Sequence, residues 1–180
     1  MLANFIAFQI GWFACVLGAA RDLTALGSAI ALLVIAWHLK RCSSAWTELR
    51  LILSAALIGI AFDSLPVWLG WISYESGTFL PGVAPYWIVI LWMLFATTLN
   101  ASLSWLKHSI PLAALGGAVA GPLAYWGGAK FGALNLEAFV PAMLTLCIGW
   151  ALLTPLLLRL ATLFNGYARS GPNFSRVASD

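Results

Sequence analysis

Long apolar stretches separated by short polar segments limit what this chain can fold into. A helix needs about 20 apolar residues to cross the hydrocarbon core of a bilayer. Of the 180 residues, 62% are hydrophobic and only 8% are charged, whereas soluble domains carry about 25% charged residues. A soluble fold of this size could not cover its core with so few charged side chains. The sequence therefore predicts an all-α, polytopic membrane protein whose first partner is the lipid bilayer.

Six apolar stretches are long enough to be predicted as transmembrane helices. The second is short, and the sixth is long and contains Pro155, which predicts a tilt or a kink. The first is expected to be retained rather than cleaved as a signal peptide, because it lacks a basic start. The predicted domains are a six-helix transmembrane domain at 1–164 and a polar cytoplasmic tail at 165–180. The six predicted spans are 2–20, 23–39, 51–72, 85–106, 110–128 and 138–163.

The basic residues predict how these spans are oriented. Six spans place both termini on the same side, which would also carry seven of the nine Lys and Arg residues. The opposite side would carry only Arg21 and Lys130. Since basic residues concentrate in cytoplasmic loops, both termini are predicted to be cytoplasmic. The seven residues are Lys40, Arg41, Arg50, Lys107, Arg159, Arg169 and Arg176.

The remaining charges, cysteines and histidines exclude several classes of site. The net charge of +3 comes from single or paired basic residues without a basic run, so no nucleic-acid partner is expected. Cys15, Cys42 and Cys147 form no CxxC pair or Cys/His cluster, and they are expected to be small packing residues. His38 and His108 are expected at the membrane interface. No metal and no cofactor are therefore predicted.

One carboxylate, Asp63, lies inside the third apolar stretch. Thirteen residues separate it from Arg50, which places it about 20 Å into the span. A charge at such depth costs about 2.5–3.5 kcal/mol, and Pro66 removes a helical hydrogen bond to the carbonyl of Phe62. We interpret the pair as a binding site at a broken helix. Two alternatives remain: an acid satisfied by neighbouring helices, and a span that ends early with Asp63 at the interface.

Polar residues in the fourth and first spans are candidates to join this site. Thr97, Asn100 and Ser104 follow at i, i+3 and i+7, a spacing that predicts one helical face. The simplest geometry points this face at Asp63, although Asn100 lies close to Lys107 and hence in the inner half of the bilayer. The alternative role is hydrogen bonding between helices. The candidate ligand-binding residues are Asp63, Pro66, Thr97, Asn100, Ser104 and Gln9.

Aromatic and small residues are abundant within the spans. Trp12, Trp92 and Trp150 lie deep, where they are interpreted as bulky packing residues or, alternatively, as the lining of an aromatic ligand pocket. Glycines recur at close spacing, which lets helix backbones approach each other. Tight packing within the chain is expected, and a docking face for another membrane protein or a second copy of this chain is the alternative. The predicted helix-packing glycines are Gly11, Gly117, Gly121 and Gly128.

Four stretches resemble an uncharacterised family of small bacterial inner-membrane proteins, catalogued as domain of unknown function 2878. They are "NFIAFQIGWFACVLGAA", "ELRLILSAALIGIAFDSLPVWLGW", "LWMLFATTLNASLSWL" and "GGAVAGPLAYWGGAKFGAL". The resemblance implies a multi-pass protein of the bacterial inner membrane. It brings no established activity, cofactor or catalytic residue. Its members are often encoded beside lipid-modifying enzymes, which hints at a lipid or envelope role.

Three functional hypotheses are compatible with these features. The favoured one is a component that binds or transports a small molecule or lipid through Asp63. The second is a membrane scaffold or assembly factor without chemistry. The third is a membrane enzyme acting on lipid, or a subunit of one, with Asp63 as its acid or base. The sequence names no ligand or substrate, leaves enzymatic activity open and does not give the oligomeric state.

Overall fold

The computed structural model describes residues 1–167, and this part of the chain is almost entirely helical. A 3-10 turn at Ser104–His108 precedes the fifth helix. Two short strands, β1 (Ile72–Ser73) and β2 (Asn135–Leu136), pair in antiparallel register. The predicted all-α class is thus correct for the described residues. The helices are α1 (Leu2–Ala19), α2 (Thr24–Lys40), α3 (Ala45–Trp68), α4 (Tyr86–Leu99), α5 (Ile110–Phe131) and α6 (Phe139–Leu163).

Four of these helices, α1, α3, α5 and α6, are long and apolar enough to cross a membrane. The apolar helices α2 and α4 have 17 and 14 residues and are shorter than a usual span. Large apolar side chains point outward along the long helices, for example Leu57, which is 71% exposed, and Leu152, which is 68% exposed. Such a surface suits lipid rather than water. The described residues therefore have the helices of a membrane protein.

Helix α4 ends at Leu99, seven residues before the end of the predicted span. The hydroxyls of Thr97 and Thr98 both donate to carbonyls three residues earlier in the chain, at 2.6 Å. Such local bonds compete with helical ones, and the side chain of Asn100 is held by other helices beyond the last turn. Ser104 consequently lies in the 3-10 turn. The prediction that Thr97, Asn100 and Ser104 share one helical face is wrong.

Helix α3 differs from the prediction at both ends and in its middle. It begins at Ala45, where the hydroxyl of Ser44 accepts a hydrogen bond from the amide of Thr47 at 3.4 Å. It continues through Asp63 and Pro66 and ends at Trp68. The helix is therefore not broken at Asp63. Because Pro66 lies in the last turn, its missing amide removes one bond close to the helix end and leaves the preceding turns intact.

The helices alternate in direction, so that their ends gather at two opposite ends of the bundle. At one, here called the polar end, side chains link the starts of α1 and α3 to the ends of α2, α4 and α6. The other, here called the strand end, holds β1 and β2. There the hydroxyl of Ser76 donates to the carbonyl of Ala19, at the end of α1. The two termini of the described chain thus lie at the polar end.

The core lies between α1, α2, α3 and α4, with the α5–α6 pair packed against it. Its fully buried members include Leu51, Ile52 and Trp87. A second, smaller cluster around Tyr125 and Leu146 joins α5 and α6 to the strand end. The deep carboxylate on α3 lies where these clusters meet, since Phe62 and Trp150 pack against both.

Three of the four predicted packing glycines lie where helices meet closely. A Cβ at Gly11 would come within 2.7 Å of Leu94 on α4, and one at Gly117 or Gly121 would overlap Trp150 or Thr154 on α6. A Cβ at Gly128 would meet Leu134 at 3.3 Å. Gly117 and Gly121 therefore set the distance between α5 and α6, whereas Gly128 packs against the loop that follows α5. The alternative of a docking face for a second protein stays a prediction.

The predicted cytoplasmic tail, 165–180, falls mostly outside the described residues, which end at Tyr167. Its first residues are packed onto the bundle. The carbonyl of Gly166 accepts a hydrogen bond from the amide of Ser44 at 3.0 Å, and its amide donates to Glu48. The folded part of the chain therefore extends past the predicted domain boundary at residue 164.

Candidate functional site

Asp63 is fully buried on α3 and holds together three helices. Its Oδ2 atom accepts a hydrogen bond from the indole N–H of Trp92 on α4 at 2.6 Å. Its Oδ1 atom accepts one from the hydroxyl of Tyr125 on α5, also at 2.6 Å. Bonds this short are typical of an acceptor that carries charge. Asp63 is 0% exposed, so it lies inside the protein and not at an interface with lipid or water.

Aromatic rings surround this carboxylate. The rings of Trp92 and Trp150 stack, with 4.6 Å between centroids and 12° between planes. Phe62 meets Trp92 edge-on at 6.1 Å. Glycines make room for these rings, because a Cβ at Gly59 would overlap the indole of Trp92. Of the three deep tryptophans, Trp92 and Trp150 line the carboxylate, whereas Trp12 packs against Phe13 on α1. We call Asp63, Trp92, Tyr125, Trp150 and Tyr74 the Asp63 site.

Two polar groups of the Asp63 site have no hydrogen-bond partner among the described residues. They are the hydroxyl of Tyr74 and the indole N–H of Trp150, both buried. Burial raises the pKa of Tyr74 well above its ordinary value, and the charge of Asp63 adds to the effect. Buried polar groups are rarely left unpaired. Two free donors next to a buried carboxylate mark a place where a polar molecule could be held.

The Asp63 site contains no positive charge. Among residues 1–167, the only salt bridge joins His38 and Glu48 at the polar end, and none involves Asp63. A buried carboxylate without a cation must be stabilised by hydrogen bonds, by a proton or by a cation from outside the described chain.

The structure does not bring the other predicted binding residues to Asp63. Asn100 bonds to Glu48, which precedes Asp63 by fifteen residues on α3, hence by about 22 Å. The hydroxyl of Ser104 donates to the carbonyl of Ala101 at 2.9 Å. Gln9 is half-buried on α1. Pro66 alone lies near Asp63, one turn further along α3.

The polar end holds a second buried carboxylate, Glu48, which the sequence analysis missed. Glu48 and Asp63 belong to the same buried stripe of α3, with Leu51, Ile52 and Ala55 between them. Glu48 precedes Leu51 and Ile52 by three and four residues, a spacing that places it on the same helical face. This spacing is the sequence feature that could have identified Glu48 as buried. Glu48 lies just before the predicted third span, 51–72, where an acid is ordinarily expected to be solvated.

Both oxygens of Glu48 are paired. Oε1 lies 3.0 Å from Nε2 of His38, which is also fully buried. Oε2 accepts from the amide of Asn100 at 2.8 Å and from the backbone N–H of Gly166 at 3.0 Å. Lys107 donates to the side-chain oxygen of Asn100 and, at 3.2 Å, to the carbonyl of Ala161. Burial lowers the pKa of Lys107, and the charge of Glu48 acts in the opposite direction.

The other side of His38 faces Asn4 and Tyr167. Nδ1 lies 3.4 Å from the amide nitrogen of Asn4 and 3.4 Å from the hydroxyl of Tyr167. The thiol of Cys42, in the turn after α2, donates to the carbonyl of His38 at 3.3 Å. Burial and the charge of Glu48 raise the pKa of Cys42 to about 11, against a smaller lowering by Tyr167.

Comparison with known proteins gives a family and nothing more specific. A family model described as "Protein of unknown function (DUF2878)" matches residues 1–156. No curated protein and no solved structure matches the chain.

Proposed function

The chain belongs to the DUF2878 family, and we propose that it is a multi-pass protein of the bacterial inner membrane that binds and transports a small, positively charged molecule. The Asp63 site is its binding centre. Six helices cross the bilayer, and both termini face the cytoplasm. The gathering of the starts of α1 and α3 with the ends of α2, α4 and α6 at one end of the bundle supports this threading.

One observation carries the proposal: Asp63 is 0% exposed and has no basic side chain within ion-pair distance among residues 1–167. A buried carboxylate attracts a cation strongly, because little water screens the two charges. Intramembrane acids that face other helices commonly mark the path of an ion or a substrate. The missing positive charge is therefore the feature that a cationic ligand would supply.

The aromatic rings favour an organic ammonium group over a metal ion. The faces of indole and phenol rings attract cations, most strongly where water is absent. Trp92, Trp150 and Tyr125 supply such rings around the carboxylate, while hard metal ions prefer several oxygen ligands. The free donors, Tyr74 and Trp150, would bind an acceptor atom elsewhere on the same molecule.

In this structure the site is closed, since both oxygens of Asp63 are already bonded. A ligand must take the place of a protein donor, and Tyr125 is the better placed to leave. Trp92 is fixed by its stacking on Trp150 and by the packing of Gly59 against its ring. Opening would thus move α5, which carries Tyr125, relative to α3.

The experiment is a thermal-unfolding comparison of the purified full-length protein in detergent. The probes are tetramethylammonium, choline and ethylammonium chlorides. Sodium chloride and sodium acetate at equal ionic strength are the control salts. A cation that binds the folded protein raises the unfolding temperature with concentration. We expect this rise for at least one ammonium probe with the wild type, and its loss in Asp63→Asn. Asp22→Asn is the matched control, because Asp22 is exposed at the strand end of the bundle.

Two results would contradict the proposal. One is the absence of any shift with all three ammonium probes. The other is a shift of the same size in Asp63→Asn and in the wild type, which would place the bound cation elsewhere.

A scaffold without chemistry is the second candidate, and the two 2.6 Å bonds to Asp63 favour it. In that role the carboxylate joins α3, α4 and α5 and never exchanges its partners. Asp63→Asn would then lower the unfolding temperature by the same amount in every salt of the panel. The same experiment therefore separates the two functions.

A further inference from the structure

We propose that His38, Cys42 and Glu48 form a binding site for a single transition-metal ion of the Zn²⁺ type at the polar end of the bundle. The site is independent of Asp63, from which Glu48 is separated by about 22 Å along α3. The sequence predicts no metal, because its cysteines form no CxxC pair or Cys/His cluster. The fold brings them together from the end of α2, the following turn and the start of α3.

The three ligand types and their convergence fit such an ion. Imidazole nitrogen, thiolate and carboxylate are all zinc ligands, with bonds of about 2.0–2.3 Å. Nε2 of His38, Sγ of Cys42 and a carboxylate oxygen of Glu48 all lie within 4.8 Å of one another. Nε2 and Oε1 are already 3.0 Å apart, close to the separation of two ligands on one tetrahedral ion. Cys42 would have to swing inward, which its place in a short turn permits.

The surrounding residues already hold two of the ligands in the required orientation. Metal-binding side chains are usually fixed by a further layer of hydrogen bonds. The second oxygen of Glu48 is bonded to Asn100 and to the amide of Gly166, so Oε1 is directed at His38. The hydroxyl of Tyr167, 3.4 Å from Nδ1, would accept the proton that Nδ1 carries when Nε2 binds a metal. The amide nitrogen of Asn4, equally distant, is a donor and cannot accept that proton; it donates to the carbonyl of Thr97 at 3.1 Å.

Charge also favours the ion. Glu48 is 0% exposed, and its partner His38 is neutral unless protonated. A divalent cation with one carboxylate and one thiolate forms a neutral set, which is the arrangement that a buried site tolerates best. On binding, the proton of Nε2 moves to Nδ1 and the thiol proton leaves to solvent. Cys42 is half-exposed, so it provides the route by which the ion enters.

Cobalt is the probe, because Co²⁺ occupies zinc sites and a thiolate ligand gives it a charge-transfer absorption. The full-length protein in detergent, freed of metal by a chelator, is titrated with Co²⁺. We expect one equivalent to bind with that absorption, and Zn²⁺ to abolish it. Cys42→Ser should lose the absorption and His38→Gln should weaken binding at least about tenfold. Cys147→Ser is the matched control, since Cys147 is also a half-buried thiol, on α6.

A second measurement does not depend on variants. Alkylation of the wild-type protein is followed at each cysteine by mass spectrometry, with and without Zn²⁺. Protection of Cys42 alone supports the site. No cobalt absorption in the wild type, absorption that survives Cys42→Ser, or equal alkylation of Cys42 with and without Zn²⁺ would each overturn the proposal.

Discussion

The hydroxyl of Tyr125 on α5 donates a hydrogen bond of 2.6 Å to Oδ1 of Asp63 on α3. The indole of Trp92 on α4 donates an equally short bond to the other oxygen. One carboxylate therefore connects helices that are 29 and 62 residues away in sequence. The hydroxyl of Tyr125 can be removed by Tyr125→Phe with little change in the volume of the core, so the contribution of this bond to stability is measurable.

Tyr125→Phe is expected to destabilise the protein by about 1.5–3 kcal/mol, because it removes a hydrogen bond to a buried acceptor that carries charge. Tyr74→Phe is the control. The hydroxyl of Tyr74 is buried without a partner, so its removal is expected to be neutral or stabilising. Unfolding in detergent, followed by circular dichroism, measures both variants. Equal destabilisation by the two variants would mean that the bond between Tyr125 and Asp63 contributes nothing specific.

The sequence was sufficient to single out Asp63 but not its partners. Its depth followed from residue counting, since a helix rises by a fixed distance per residue. Trp92 and Tyr125 could not be assigned, because which faces of α4 and α5 meet α3 depends on packing over long sequence separations. The prediction that Asn100 faces Asp63 failed because Asn100 lies at the polar end, where it bonds to Glu48, about 22 Å along α3 from Asp63. In the structure, α4 ends at Leu99.

Substitution of Asn100 should nevertheless destabilise the protein more than substitution of Ser104. Asn100→Ala removes a donor to Glu48 and one to the carbonyl of Phe164, and it also leaves Lys107 without its acceptor on Asn100. We expect a loss of about 1–3 kcal/mol. Ser104→Ala removes only a bond to the preceding turn, and a change within about 0.5 kcal/mol is expected. The reverse order, measured by unfolding in detergent, would mean that the bonds of Asn100 to Glu48 and Phe164 contribute little to stability.

Two glycines of α5 test whether its small residues serve packing against α6 within the chain or the docking of a second protein. A Cβ at Gly121 would overlap the ring of Trp150, whereas one at Gly116 would meet nothing within 4 Å. Gly121→Ala is therefore expected to cost about 1–3 kcal/mol through overpacking, and Gly116→Ala should be neutral or slightly stabilising. A loss of stability in Gly116→Ala, or a loss of oligomers on its substitution, would instead indicate a partner on that exposed face.

The threading of the chain can be tested at three exposed loop positions. Ser43 and His108 lie at the polar end, and Thr78 lies in the loop before α4 at the strand end. Each is changed to cysteine in a chain whose own cysteines are replaced by alanine or serine. A membrane-impermeant maleimide is applied to intact spheroplasts. With both termini in the cytoplasm, Thr78→Cys should react at once, and the other two only after permeabilisation.

This labelling pattern is most informative about α4. Its 14 residues cover about 21 Å, less than the hydrocarbon thickness of about 30 Å. The bonds of Asn100 to Glu48 and Phe164 would nevertheless carry the chain to the polar end and satisfy its backbone within protein rather than lipid. If α4 crosses, His108→Cys behaves like Ser43→Cys. If His108→Cys is instead labelled in intact spheroplasts, as Thr78→Cys is, then α4 turns back within the bilayer and the prediction of six crossings is wrong.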